Sequence, residues 1–491
     1  MNDVEKLSIK KYARLVSKHN LVERLKYEDN LTGRIVWNQQ YFMNSLLNIF
    51  LATKDDQYLK AFLVHANHVL DVRDDHSGRK DSFGRSLPGW QAGSHYTLGL
   101  PYVLRNEKNE PALLVQAVHK SKNNKMRINI EPSGESRFTL KIINSFRSKT
   151  LAHEFTDLTM ENIERVVNKD LSPDKYIRVS VLSDLPPKAG NFRLSKTHKR
   201  VFTSAHTALI VLPLLRYAHL AKACNLPVRK SRRRFYLEQA LESLQLVLSL
   251  WADEDGQSGH LIFDPSPTYW AAGLPVPYNM LSANGLAFLY AYLATNKAEF
   301  LDKARKLAQK VQRGISIADG QFSMPYWYGL PFTGWSSPDP SMAVDFYKKG
   351  APMQRVEDVS HFVLTLWFMH EMNERGIFDF GHALSLLTGL FKKRLVKIDG
   401  ANKKTLPRSW HEGKYFAKTL TGDGVGHDYA AAIFSVLGDQ SILKDAAYIY
   451  THRYSHLPAS QKATFDVDYL SGLVLFGWSI LARQGELAIR C

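Results

Sequence analysis

Cysteine is nearly absent from this chain. With only Cys224 and Cys491 among 491 residues, a disulfide framework is not expected to hold the fold. Long apolar runs are missing too. The two longest, residues 207–215 and 470–482, are too short to cross a bilayer, and Pro213 interrupts the first, so no membrane span is expected. The opening residues Met1-Asn2-Asp3-Val4-Glu5-Lys6 lack the apolar core of a secretory signal, which leads to the expectation of a soluble, cytoplasmic protein.

Several chemical signatures are also missing. No HExxH, paired CxxC, GxSxG or dinucleotide-binding glycine pattern occurs. Gly422-Asp423-Gly424 has neither the preceding strand nor the following Lys-Ser/Thr of a phosphate loop. Residues 253–256 begin like a calcium loop, but the glycine is misplaced and no closing Glu follows. His65 and His68 share a helix face without an obvious third ligand. No metal and no cofactor is therefore expected.

What the chain does have is positive charge. Sixty-four basic residues against 47 acidic ones give +17, which favours an anionic partner. The basic run at residues 229–234 stands alone at a turn with no interleaved aromatics, so it reads as a solvated face and nucleic acid is an unlikely partner.

Helical periodicity dominates, and it comes in pairs. Phe42, Leu46, Ile49 and Phe50 recur at spacings of three and four, predicting a helix over 38–53, with a second over 58–72 after a polar turn. The design returns at 278–295 and 299–313. Leu51-Ala52-Thr53 with Tyr58-Leu59 matches Leu293-Ala294-Thr295 with Phe300-Leu301 at identical spacing, and Leu437-Gly438-Asp439 before Ile442-Leu443 is a fainter echo. Further helices are predicted at 4–27, 205–223, 235–251, 359–375, 381–393, 427–437, 441–454 and 468–482. Repeated hairpins bury their faces against one another. Six of them closing on themselves give the expected fold: mainly α, an (α/α)6-type toroid, with an open solenoid as the competing architecture.

Residues 101–200 depart from this period. β-forming residues cluster at 126–130, 137–143 and 176–181, around the turn Pro132-Ser133-Gly134. The expected organisation is residues 1–100 as N-terminal helices and first hairpin, 101–200 as a β-rich insertion, and 201–491 as the rest of the toroid.

Four loops gather chemistry. Residues 73–96 carry Arg85, Trp90, Gln91, His95 and Tyr96, where Trp can stack on sugar and Arg can pair with carboxylate. Residues 251–279 carry His260, Tyr269, Trp270, Tyr278 and Asn279, the last two opening a helix. Residues 321–361 carry Tyr326, Trp327, Tyr328, Trp335, Glu357, Asp358 and His361. Glu357 and Asp358 suit a helix start on dipole grounds alone, whereas His361 sits in the first turn of an inner helix. Residues 408–428 carry His411 and His427.

The repeated turn, the Trp-rich loop, Pro277-Tyr278-Asn279 opening one helix and Glu357-Asp358-Val359-Ser360-His361 opening another resemble the α/α-toroid enzymes acting on uronic acids. These are the polysaccharide lyases for alginate, glucuronan and heparin-like chains, and the toroid of glucuronyl C5-epimerases. The chain departs from heparinase-type lyases in ending in a helix, and its β-rich insertion is not general to the group. The resemblance implies β-elimination on an acidic polysaccharide. A base such as Tyr278, Tyr326, Tyr328 or His95 would take the proton beside the carboxylate, with Asn279, His361 or Arg85 stabilising the charge. Tyrosine serves as a base only if nearby cations lower its pKa. Epimerisation passes through the same carbanion. Glycoside hydrolysis is the second reading, needing two carboxyl groups from Glu357, Asp358, Asp345 and Asp264. A glycan-binding protein without activity is the third.

Overall fold

The computed structural model describes residues 2–489 apart from 82–83, 94–101, 118–125, 147–148, 170–176, 195–199, 227–228, 266–272, 319–320, 335–353, 355–356, 393–395, 399–403, 406–429 and 453–470. Among the described residues, twelve helices build the frame. α1 (Asp3–Lys18) comes first. α2 (Gln40–Thr53) then pairs with α3 (Asp56–Asp71), α4 (Ser204–Ala223) with α5 (Lys230–Leu248), and α6 (Tyr278–Thr295) with α7 (Ala298–Gly314). α8 (Val359–Glu374) is followed by α9 (Gly381–Leu390), and the short α10 (Ala431–Phe434) by α11 (Gln440–His452). α12 (Ser471–Ala482) packs on α1, closing the chain's two ends together.

The packing order makes a ring. α2 touches α4, α4 touches α6, and so on through α8, α10 and α12, which returns to α2. This is an α/α toroid rather than an open solenoid. Composition explains which helices go inside. α4, α6 and α8 bury side chains on every face, as a helix wedged between two neighbours and an outer partner must. α7 buries only the stripe Phe300, Ala304, Leu307, Ala308 and Val311. α4 runs straight through Pro213, and α5 begins at Lys230, so the basic run forms its exposed first turn rather than a turn before it. Cys224, which closes α4, is engaged in a disulfide.

The repeated sequence is repeated turn chemistry. The Thr53 hydroxyl donates to Ile49 O at 2.8 Å and accepts from Asp55 N. Thr295 donates to Ala291 O at 2.6 Å and accepts from Lys297 N. Lys54 and Asn296 follow in the left-handed region, at φ 58° and 63°, and end each inner helix with a bond back to the fourth residue before.

Residues 102–194 depart from the ring. They form the antiparallel sheets β1-β2-β6 and β5-β4-β3-β7 from β1 (Tyr102–Arg105), β2 (Pro111–Ala117), β3 (Met126–Pro132), β4 (Phe138–Phe146), β5 (Lys149–Leu158), β6 (Ile177–Val181) and β7 (Gly190–Arg193). In β3 Met126, Ile128 and Ile130 turn inward while Arg127 and Glu131 face out, the two-residue period of a half-buried strand. Those residues belong to a hydrophobic cluster separate from the ring's core. The neck is a bridge between Ala92 and Val201, just ahead of α4.

Candidate functional site

The inner helices α12, α2, α4, α6 and α8 run the same way. Ser204, the first residue of α4, meets Asn284 in the second turn of α6, and Gly472 of α12 meets Asn38 ahead of α2. The first turns of α2, α4, α6, α8 and α12 therefore lie toward one mouth.

The opposite end is plugged. Arg216 of α4, fully buried, donates to Asn44 Oδ1 at 2.7 Å, Asn48 Oδ1 at 3.0 Å and Leu487 O at 3.0 Å. Its guanidinium lies over the rings of Tyr290 and Trp367 at 5.6 and 5.4 Å. Glu371 of α8 accepts from Tyr290 Oη, Trp367 Nε1 and Arg375 Nε at 2.8, 3.2 and 3.0 Å. Burial pushes the Glu371 carboxyl up, but Arg375 and then Arg216 pull it below the usual range, so it stays ionised. The lumen thus has a floor, and polar lining rises from it along α2. Asn48 and Asn44 lead to Gln40, whose amide oxygen accepts from Asn44 Nδ2 at 3.0 Å. This column was not foreseen from the sequence. Gln40, Asn44 and Asn48 among apolar neighbours were its signal.

At the mouth, the best-formed feature is Asp358 with His361. Asp358 caps α8, its Oδ1 accepting from the Ser360 and His361 amides at 3.0 Å each, while Oδ2 meets His361 Nδ1 at 2.6 Å. Burial raises the Asp358 carboxyl, but its bonds to His361 and Ser360 more than offset this and hold it well below its ordinary value. His361 is thereby fixed through one nitrogen. Its side chain remains 42% exposed and stands edge-on to Tyr326, 5.3 Å between centroids. Tyr326 adjoins Trp327, and Trp327 adjoins Phe263 at 6.3 Å. Next to Phe263 is Asp264, 3.8 Å from Arg85, which also pairs with Asp81 at 2.5 Å. An arc of rim thus carries a carboxylate at one end, an Asp–His pair at the other and, between them, the largely buried rings of Tyr326 and Trp327.

Other candidates fall elsewhere. Trp90 is a core plug, 1% exposed, its indole N–H bonded to Val69 O. Gln91 is tied by its amide to Asp74 at 2.8 Å, and its buried side-chain amide has no protein partner. The same holds for Asn279 Oδ1. Asn279 precedes Tyr290 by eleven residues, three helical turns, and so shares its lumen-facing stripe. Glu357 is fully buried and accepts from Thr365 Oγ1 at 3.4 Å, beside Ser282 of α6, in a knot between helices. Tyr278 points away from the lumen, against Tyr328 at 4.7 Å and the tail of α7 at Gly314. His260 is behind it too, 2.8 Å from Glu254, with Lys310 over the Tyr328 ring. His95, Tyr96, Tyr269, Trp270, Trp335, Asp345, His411 and His427 lie outside the described residues. Among the described residues no group of three or more His, Cys, Asp or Glu could hold a metal ion, and no helix is long and apolar enough to cross a membrane.

No family model matches the chain, and no curated protein matches it. Two similar solved structures are glycoside hydrolases. One is an inactive variant of an α-1,6-mannanase of Salegentibacter sp. HEL1_6 in complex with α-1,6-mannotriose, 9% identical, covering 98% of this chain and 99% of its own, with a TM-score of 0.43. Another is a family 76 glycoside hydrolase from a bovine Bacteroides thetaiotaomicron strain, 10% identical over 73% of this chain and 78% of its own, TM-score 0.32.

The expectation of a polysaccharide lyase is corrected on two grounds. These similar structures are hydrolases, not lyases. Two of the tyrosines offered as bases, Tyr278 and Tyr328, also have the wrong electrostatics. Burial, followed by the charge of Glu254, raises the Tyr278 phenol far above its ordinary value, and burial does the same to Tyr328. β-Elimination through tyrosine needs the opposite shift.

Proposed function

We propose that this protein is a glycoside hydrolase that holds a glycan across the mouth of its ring. The observation carrying the proposal is the rim arc: Asp264 at one end, the Asp358–His361 pair at the other, and the largely buried rings of Tyr326 and Trp327 between. Hydrolysis needs one group to protonate the leaving oxygen and another to activate water at the anomeric carbon. Asp358 fixes the His361 ring by one nitrogen and leaves the other for proton transfer, while Asp264 supplies a carboxyl within the same rim. Water adds to the anomeric carbon as the glycosidic C–O bond breaks, and the leaving oxygen takes up the proton. The net charge of +17 makes anionic glycans worth including beside neutral ones.

The test is release of reducing ends from a panel containing α-1,6-mannan, other neutral glycans, and uronate polymers. With a substrate in hand, His361→Ala and Asp264→Asn are each expected to lower kcat by about 10²–10⁴-fold at unchanged melting temperature. Absence of reducing ends from every polymer, or full activity in both variants, defeats the proposal.

A further inference from the structure

Among the described residues, the floor of the ring holds more positive than negative charge. Arg216, Arg375 and Arg483 face Glu371, with Glu486 beside Arg483. Glu371 is already engaged by Arg375, Tyr290 and Trp367. Two of the guanidinium groups converge on consecutive carbonyls of the C-terminal segment: Arg216 donates to Leu487 O and Arg483 to Ala488 O, at 3.0 and 2.9 Å. Each keeps a further buried N–H without a protein acceptor, Nε on Arg216 and Nη1 on Arg483. A buried cation with an unspent donor is costly, and two of them side by side more so. His219 and His370 also face this cluster. Burial, followed by Arg375, holds His219 down at about 4, so it adds no charge near neutrality. Chemistry that relieves this is small, negative and able to accept from two guanidinium groups at once.

We propose that a small monovalent anion, chloride, binds at the ring floor between Arg216 and Arg483. Bound there it accepts from Arg216 Nε and Arg483 Nη1 and ties α4 to α12 and the segment after it. The role is structural and independent of the reaction at the mouth.

The test is a thermal-unfolding titration of the whole chain in which sodium chloride replaces sodium gluconate at constant ionic strength, gluconate being too large for the site. The expected result is an upward shift in melting temperature that saturates with chloride and is missing in Arg483→Met. A crystal soaked in bromide gives a second readout that needs no variant, an anomalous peak within hydrogen-bonding distance of both guanidinium groups. Identical melting in the two salts, a chloride shift retained in Arg483→Met, or no bromide between the two arginines overturns the proposal. A floor neutralised instead by a carboxylate of the chain itself gives the first of those outcomes.

Discussion

At the scale of single residues, Asp74 shows how burial becomes pH dependence. It is 3% exposed and accepts the Gln91 amide. Burial pushes its carboxyl up from 3.8 to about 6, against the opposing pull of that hydrogen bond and of Arg200 and Arg79. Because the folded value is the higher one, the folded form binds more protons than the unfolded form between those two values. Stability therefore falls as pH rises through that window and stays lower above it. Asp74→Asn keeps an acceptor for Gln91 but cannot ionise. Relative to the parent it is expected to be near neutral at pH 4 and stabilised by roughly 2 kcal/mol at pH 7.5. Urea unfolding at both pH values checks this, and a difference that does not change with pH refutes it.

At the scale of elements, close approach between inner helices rests on glycine. A Cβ at Gly285 of α6 would lie 2.5 Å from the Phe368 ring of α8, so Gly285→Ala forces two ring neighbours apart and is expected to cost about 1–3 kcal/mol. Gly389 in α9 has nothing within 4 Å of its would-be Cβ. Gly389→Ala is expected to stabilise by about 0.5–1 kcal/mol through helix propensity alone. Midpoints of urea unfolding at unchanged m separate the two. The same scale explains what could be read in advance. The hairpins at 51–59 and 293–301 were legible because their turns depend on local chemistry, a Thr hydroxyl and a left-handed residue. The loop around Trp90 misled, since an aromatic that plugs a core and one that stacks on sugar have the same letters. Tyr278 misled similarly: its helix opens at the mouth, yet its own angle on that helix sends the ring outward.

At the scale of the whole molecule, ring closure joins residues that sequence keeps far apart. Nothing local pairs Asn48 with Ser479, or Arg216 with Leu487, so the floor was invisible before the fold. The rim was half legible: His361 stood out, but Asp81 with Arg85 and Asp264 did not form a group until the loops met. The floor also offers a test of global stability. Glu371→Gln removes the counter-charge of Arg375 and is expected to cost about 3–5 kcal/mol. Calorimetry should register this as a large drop in melting temperature, and a drop no larger than that of an exposed Glu→Gln control would mean the network is dispensable.

Among the described residues, a ring stoppered by Arg216, Glu371 and Trp367 has a single doorway. No polymer can be drawn through it like thread through a bead. Whatever enters the lumen must back out the way it came, whereas a strand lying over the doorway never needs to pass inside.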